Sequence, residues 1–120
     1  MELMPASYNS ANEIPNSNDL ECASTTLANR NSPLTERFDA LFTLRSLKTP
    51  EAALRICKCF QAERSLDSGA VLINHEFAYV LGQMGLECAL PTLFDVLSDP
   101  NENPIVMHEA GIIIFFWLII

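Results

Sequence analysis

The chain has two histidines, His75 and His108, and each is followed directly by a glutamate, Glu76 and Glu109. Imidazole nitrogens and carboxylate oxygens are donors that suit first-row metals. Two imidazoles and a carboxylate on one side of an ion leave open positions for dioxygen, the ligand set of non-haem Fe(II) chemistry. The two pairs stand 33 positions apart. On a helix, neighbouring side chains point about 100° apart, so each His-Glu fans out from one surface. Equivalent helices of successive repeats stack roughly 8–10 Å apart. His75, Glu76, His108 and Glu109 are therefore expected on one wall, as candidate metal ligands. An ordinary explanation stands beside this one: glutamate favours the first turn of a helix, and a histidine there is merely half-buried. Spacing alone leaves both open. No cysteine is placed near a histidine to make a nucleophile, and Gly82 and Gly85 fit no phosphate-binding loop, which leaves packing or capping.

The elements that must position these residues read as helices. Ser32-Pro33-Leu34-Thr35-Glu36 resembles a helix start, and Phe38, Leu41, Phe42 and Leu44 follow at helical spacing. Thr49 is the expected N-cap of the next helix, with Pro50 in its first position. A third helix is predicted over Val71 to Met84, closed by Gly85. A fourth runs over about Glu87 to Leu97, with Pro91 tolerable only in its first turn. Pro104 opens a fifth, which carries His108. Phe38-Asp39, His75-Glu76 and His108-Glu109 align at intervals of 37 and 33. Such periods predict an all-α, HEAT-like α-solenoid of antiparallel helix pairs. About two and a half repeats are expected over residues 35–111, with the first as a cap.

The flanks read differently. Residues 1–34 are rich in Asn, Ser, Thr, Pro and Ala without apolar periodicity, which predicts a disordered tail. Residues 112–120 are apolar throughout, too short to span a bilayer, and read as foreign to the fold. The 120 residues suffice for one core, and 49% are hydrophobic, as in globular chains. A net charge of −8 argues against a nucleic-acid partner. Cys57 and Cys59 would point about 200° apart on a helix, so Cys22, Cys57, Cys59 and Cys88 are expected as free thiols in a reducing cytoplasm. No signal peptide or membrane segment is evident at the N-terminus.

Three blocks carry a resemblance. Glu36 to Arg45 (ERFDALFTLR), His75 to Met84 (HEFAYVLGQM) and Glu102 to Gly111 (ENPIVMHEAG) are similar to deoxyhypusine hydroxylase, a HEAT-like di-iron monooxygenase family. The resemblance covers about residues 34 to 111. It implies Fe(II)- and dioxygen-dependent hydroxylation of deoxyhypusine to hypusine on the precursor of translation initiation factor 5A. It also implies iron ligation by His75, His108 and Glu109. Glu76 matches the remaining acid, a ligand or a contact for the substrate amine. The family carries two more His-Glu pairs in a second half, so this chain is expected to hold half of the ligand set, as an N-terminal half that is inactive alone. The oligomeric state is left open, and a metal-free binding scaffold or a non-functional truncated product are the other readings.

Overall fold

The computed structural model describes residues 17–66 and 69–119. Among them lie six α-helices and no strand: α1 (Ser17–Ala28), α2 (Leu34–Leu47), α3 (Pro50–Leu66), α4 (Val71–Met84), α5 (Leu90–Ser98) and α6 (Pro104–Ile119). A 3-10 turn, Glu87–Ala89, leads into α5. The boundaries follow local chemistry. Thr49 Oγ1 accepts the Ala52 N–H at 3.1 Å, capping α3 ahead of its first-position proline. Gly85 closes α4 with φ 62°, its N–H donating to the Leu81 carbonyl at 3.2 Å. α2 ends the same way without a glycine, since Lys48 takes φ 57°. Pro91 falls in the first turn of α5, where its missing N–H costs nothing. The predicted fourth helix is thus split into a 3-10 turn and an α-helix. Asn103 Oδ1 accepts the Ile105 N–H at 2.8 Å and starts α6.

The helices form three antiparallel pairs in two layers. α2, α4 and α6 pack in series as one layer, while α1, α3 and the 3-10 turn ahead of α5 form the other. The core lies between them. Phe60 of α3 and Phe77 of α4 stack at 5.3 Å between ring centroids, both fully buried, with Leu41, Leu44, Ile56 and Leu81 around them. Gly82 lets α6 close onto α4, because a Cβ there would lie 2.6 Å from Cγ1 and Cδ1 of Ile113.

Two sequence expectations are corrected. The disordered tail is not disordered from Ser17 onward: α1 occupies Ser17–Ala28 and buries Leu20, Ala23 and Leu27. Spaced at 3 and 4, these three make one narrow stripe, enough to dock a helix that the polar composition around it conceals. The docking supplies the first outer helix, so the stack holds three pairs rather than two and a half. Residues 1–16 of that expected tail lie outside the described residues. The apolar segment from Ile112 is likewise not foreign to the fold. It continues α6 to Ile119, with Ile113 and Ile114 buried; every position is apolar, so the sequence gives no alternation to read.

A ladder of polar contacts ties each pair to the next. Arg55 of α3 reaches Glu21 of α1 at 2.6 Å, and Gln61 of α3 reaches Asp95 of α5 at 3.1 Å, each across 34 positions. Arg37, nearly buried, donates to Glu63 at 2.8 Å and to the Leu27 carbonyl at 3.0 Å. Arg64 bridges Asp99 at 2.9 Å and pairs with Glu102, fastening the third pair to the second.

Candidate metal centre

His75 stands in the second turn of α4 and Glu109 in the second turn of α6, and α4 and α6 are neighbours in one layer. The His75 Nε2 and Glu109 Oε1 atoms lie 3.0 Å apart. The imidazole side chain is 35% exposed and the carboxylate side chain 19%. The pair therefore sits at a half-open surface of the layer, reachable from outside yet backed by the core.

The other two candidates do not join it. Glu76 is half-buried one position beyond His75, and His108 is exposed one position before Glu109. Each is turned about 100° around its helix from the contact point. Stacking that brings residue 75 against residue 109 therefore carries 76 and 108 away from it. His108 faces a groove lined by Leu97, Met107, Ile112, Phe115 and Phe116. The four residues lie on adjoining helices as expected, but they do not form one cluster. Among the described residues no three His, Cys, Asp or Glu side chains converge closely enough to hold a metal ion. The donors fit iron in kind, and two of them fit in position; a complete coordination set is not present among these residues.

Sulfur ligands do not fill the gap. The four cysteines are free. Burial pushes the Cys57 and Cys59 thiols above their ordinary range, so both stay protonated at neutral pH and lack the thiolate that binds metal.

Two features beside His75 escape sequence reasoning. Asn74 is fully buried, and neither side-chain polar atom finds a protein partner; in a helical apolar run an asparagine reads as a surface position. Tyr79, one turn beyond His75, accepts from Gln83 Nε2 at 3.3 Å, and Gln83 Oε1 accepts from Arg45 Nη1 at 2.9 Å. Arginine can only donate, so it fixes the direction of the chain and leaves the Tyr79 proton free to donate outward. Only a tertiary contact across 38 positions reveals this arrangement.

No family model matches the sequence. The deoxyhypusine hydroxylase of Danio rerio is 46% identical over 98 residues, which are 82% of this chain and 30% of that protein. The Homo sapiens deoxyhypusine hydroxylase is 43% identical over 93 residues, covering 78% of this chain and 29% of that protein. A solved structure of human deoxyhypusine hydroxylase in complex with glycerol superposes with a TM-score of 0.71 at 41% identity, over 81% of this chain and 32% of that one. The chain is a relative of the deoxyhypusine hydroxylases. It spans about 30% of the length of the hydroxylases it matches. The shared helical-repeat fold accounts for the two-layer stack, and the stretch of likeness takes in most of the described helices.

Proposed function

We propose that this chain forms one wall of a deoxyhypusine hydroxylase active site, contributing part of an iron centre that acts on the deoxyhypusine side chain of the translation initiation factor 5A precursor. The observation that carries the reading is the His75–Glu109 contact: an imidazole nitrogen and a carboxylate oxygen at 3.0 Å, from neighbouring repeats of a chain 46% identical to a hydroxylase. Its relatives' names support the reaction; the donor pair supports the place.

In this reading His75 Nε2 and Glu109 Oε1 are the first two donors, and Glu76 and His108 flank them. Iron, when bound, supplies the oxygen chemistry. The residues of this chain supply binding and orientation. The contact holds the His75 ring and the Glu109 carboxylate in one half-exposed spot. A metal taken there would compete with protons for the same donor atoms. Glu76 offers a carboxylate beside the pair for the cationic amines of the aminobutyl arm. Because fewer than three donors converge among the described residues, the full centre needs donors from elsewhere, which the longer relatives have room to carry.

A metal-free scaffold is the competing reading, and the same shortage of donors favours it. Anaerobic Fe(II) titration with native mass spectrometry separates the two, using the chain, His75→Ala and His108→Ala. Specific iron that His75→Ala removes supports the wall of a metal site. Unchanged iron in both variants, or none in the parent, overturns metal binding by this chain. Retention of the precursor after chelation would then favour the scaffold.

A further inference from the structure

The exposed arc of α4 carries more than the metal candidates. Leu72, His75, Glu76, Tyr79 and Gln83 fall within about 100° of one another around the helix, with Tyr79 between His75 and Glu76 and one turn beyond them. α2 and α6 pack on either side of α4, so this arc lies inside the stack of pairs and not at an end of it. One edge of the arc holds the His75–Glu109 contact with α6. The other edge holds a contact with α2: Arg45 Nη1 donates to Gln83 Oε1 at 2.9 Å, and Gln83 Nε2 donates to the Tyr79 oxygen at 3.3 Å. Arg45 is itself fixed, its guanidinium 4.8 Å from the centre of the Phe42 ring.

The direction of this hydrogen-bond chain is set inside the helix layer, whatever lies opposite it. A guanidinium has hydrogens to give and no lone pair to offer, so the Gln83 amide turns its oxygen to Arg45 and its nitrogen to Tyr79. The Tyr79 oxygen is thereby committed as an acceptor, and its one hydrogen is left for a group that comes onto the arc from outside. The side chain is 43% exposed, so such a group can reach it. An oriented donor thus stands one turn from the paired imidazole and carboxylate.

We infer that Tyr79 is a substrate-binding residue of the proposed hydroxylase site, donating its hydrogen to a peptide carbonyl of the polypeptide that carries the modified side chain, with Gln83 and Arg45 as the residues that position it. The inference rests on the hydroxylase reading above and adds to it the contact for the main chain. Chemistry selects the acceptor. The deoxyhypusine arm consists of methylenes and amines that are protonated near neutral pH, and a protonated amine has no lone pair with which to accept. Its partners on the arc are carboxylates, and Glu76 is one. The oxygen acceptors that come with the arm are the carbonyls of the backbone bearing it. A donor held in a fixed direction suits a carbonyl and does nothing for an ammonium group.

The test is titration calorimetry of the full chain, without metal, against the translation initiation factor 5A precursor bearing deoxyhypusine and against its hypusine-bearing form. Tyr79→Phe deletes the hydrogen and should weaken binding of both roughly three- to tenfold, the worth of one neutral hydrogen bond. Gln83→Glu keeps the bond to Arg45 but takes the Tyr79 hydrogen for its own carboxylate, so it should weaken binding about as much. It does so while adding a negative charge beside a cationic arm, where electrostatics alone gives the opposite sign. In the Tyr79→Phe background, Gln83→Glu should weaken binding no further. Circular dichroism confirms that the variants stay helical; should Gln83→Glu lose its helices, the near-isosteric Tyr79→Phe carries the comparison. Tyr79→Phe that binds as the parent does, Gln83→Glu that binds more tightly, or a loss confined to the hypusine-bearing form would each overturn the inference and leave the hydroxylase reading standing. A parent chain that binds neither form overturns both.

Discussion

Nε2 of His75 and Oε1 of Glu109 lie 3.0 Å apart although 34 positions of sequence separate them. The contact crosses from the second helix pair to the third. Its partial exposure limits what it contributes to folding, because half-solvated pairs give little net stability. Glu109→Ala should therefore cost no more than about 1 kcal/mol, measured by urea denaturation. The same change should remove iron retention if the metal reading holds. A large loss of stability would instead assign the pair a structural role.

Gly82→Ala tests how α4 and α6 meet. The added methyl has no room beside Ile113. Overpacking of this kind costs about 1–3 kcal/mol, and it should widen the His75–Glu109 gap along with the helix spacing. Ile113→Ala in the same chain should recover part of the loss by making space for the methyl. A double-mutant cycle by thermal denaturation that showed no coupling would contradict this packing.

Glu63→Ala should be the most damaging of these substitutions. It strips the nearly buried Arg37 of its carboxylate and also ends the contact with Arg30. An uncompensated buried guanidinium costs about 3–5 kcal/mol. Chemical denaturation of the variant beside Arg37→Met/Glu63→Met should show the double change to be the milder one. Equal losses would mean that the charge is not stranded.

Acid should loosen α1 before the rest. The hydrogen bond and charge of Arg55 hold the Glu21 carboxyl below its ordinary value of 4.5. A depressed folded-state pKa gives a contribution that is complete above that ordinary value. It is lost as pH falls through the lower, folded-state value. Glu21 is solvent-exposed and Arg55 half-buried, so the effect is local and weakens with salt. Hydrogen exchange over Ser17–Ala28 should speed up at about pH 3 relative to pH 6, beyond the chemical pH effect. Glu21→Gln should already show the fast behaviour at pH 6.

The sequence made α2 to α4 legible because their caps and stripes agree: Thr49 with Pro50 at one start, Gly85 at one end, and Phe38, Leu41 and Leu44 on one face. It hid α1, whose three buried residues are scattered among Asn, Ser and Thr. It also hid the end of α6, where uniform apolarity erases the period that separates inside from outside. The site was half legible. Residue types and repeat spacing put His75, Glu76, His108 and Glu109 on adjoining helices. The rotational register between α4 and α6 decided that only His75 and Glu109 touch, and that register depends on Gly82 against Ile113. No pattern within either helix encodes it.

The contact between residues 75 and 109 has a mechanical side. A stack of helix pairs is a spring, since each unit touches only its neighbours and small rotations between units add up along the stack. The gap between imidazole and carboxylate is set by how the second unit nests on the third, not by the shape of either helix. Any change in how the second unit sits on the third is therefore a change in the spacing of these two side chains. Elasticity of the stack and the spacing of one contact on it are thus coupled.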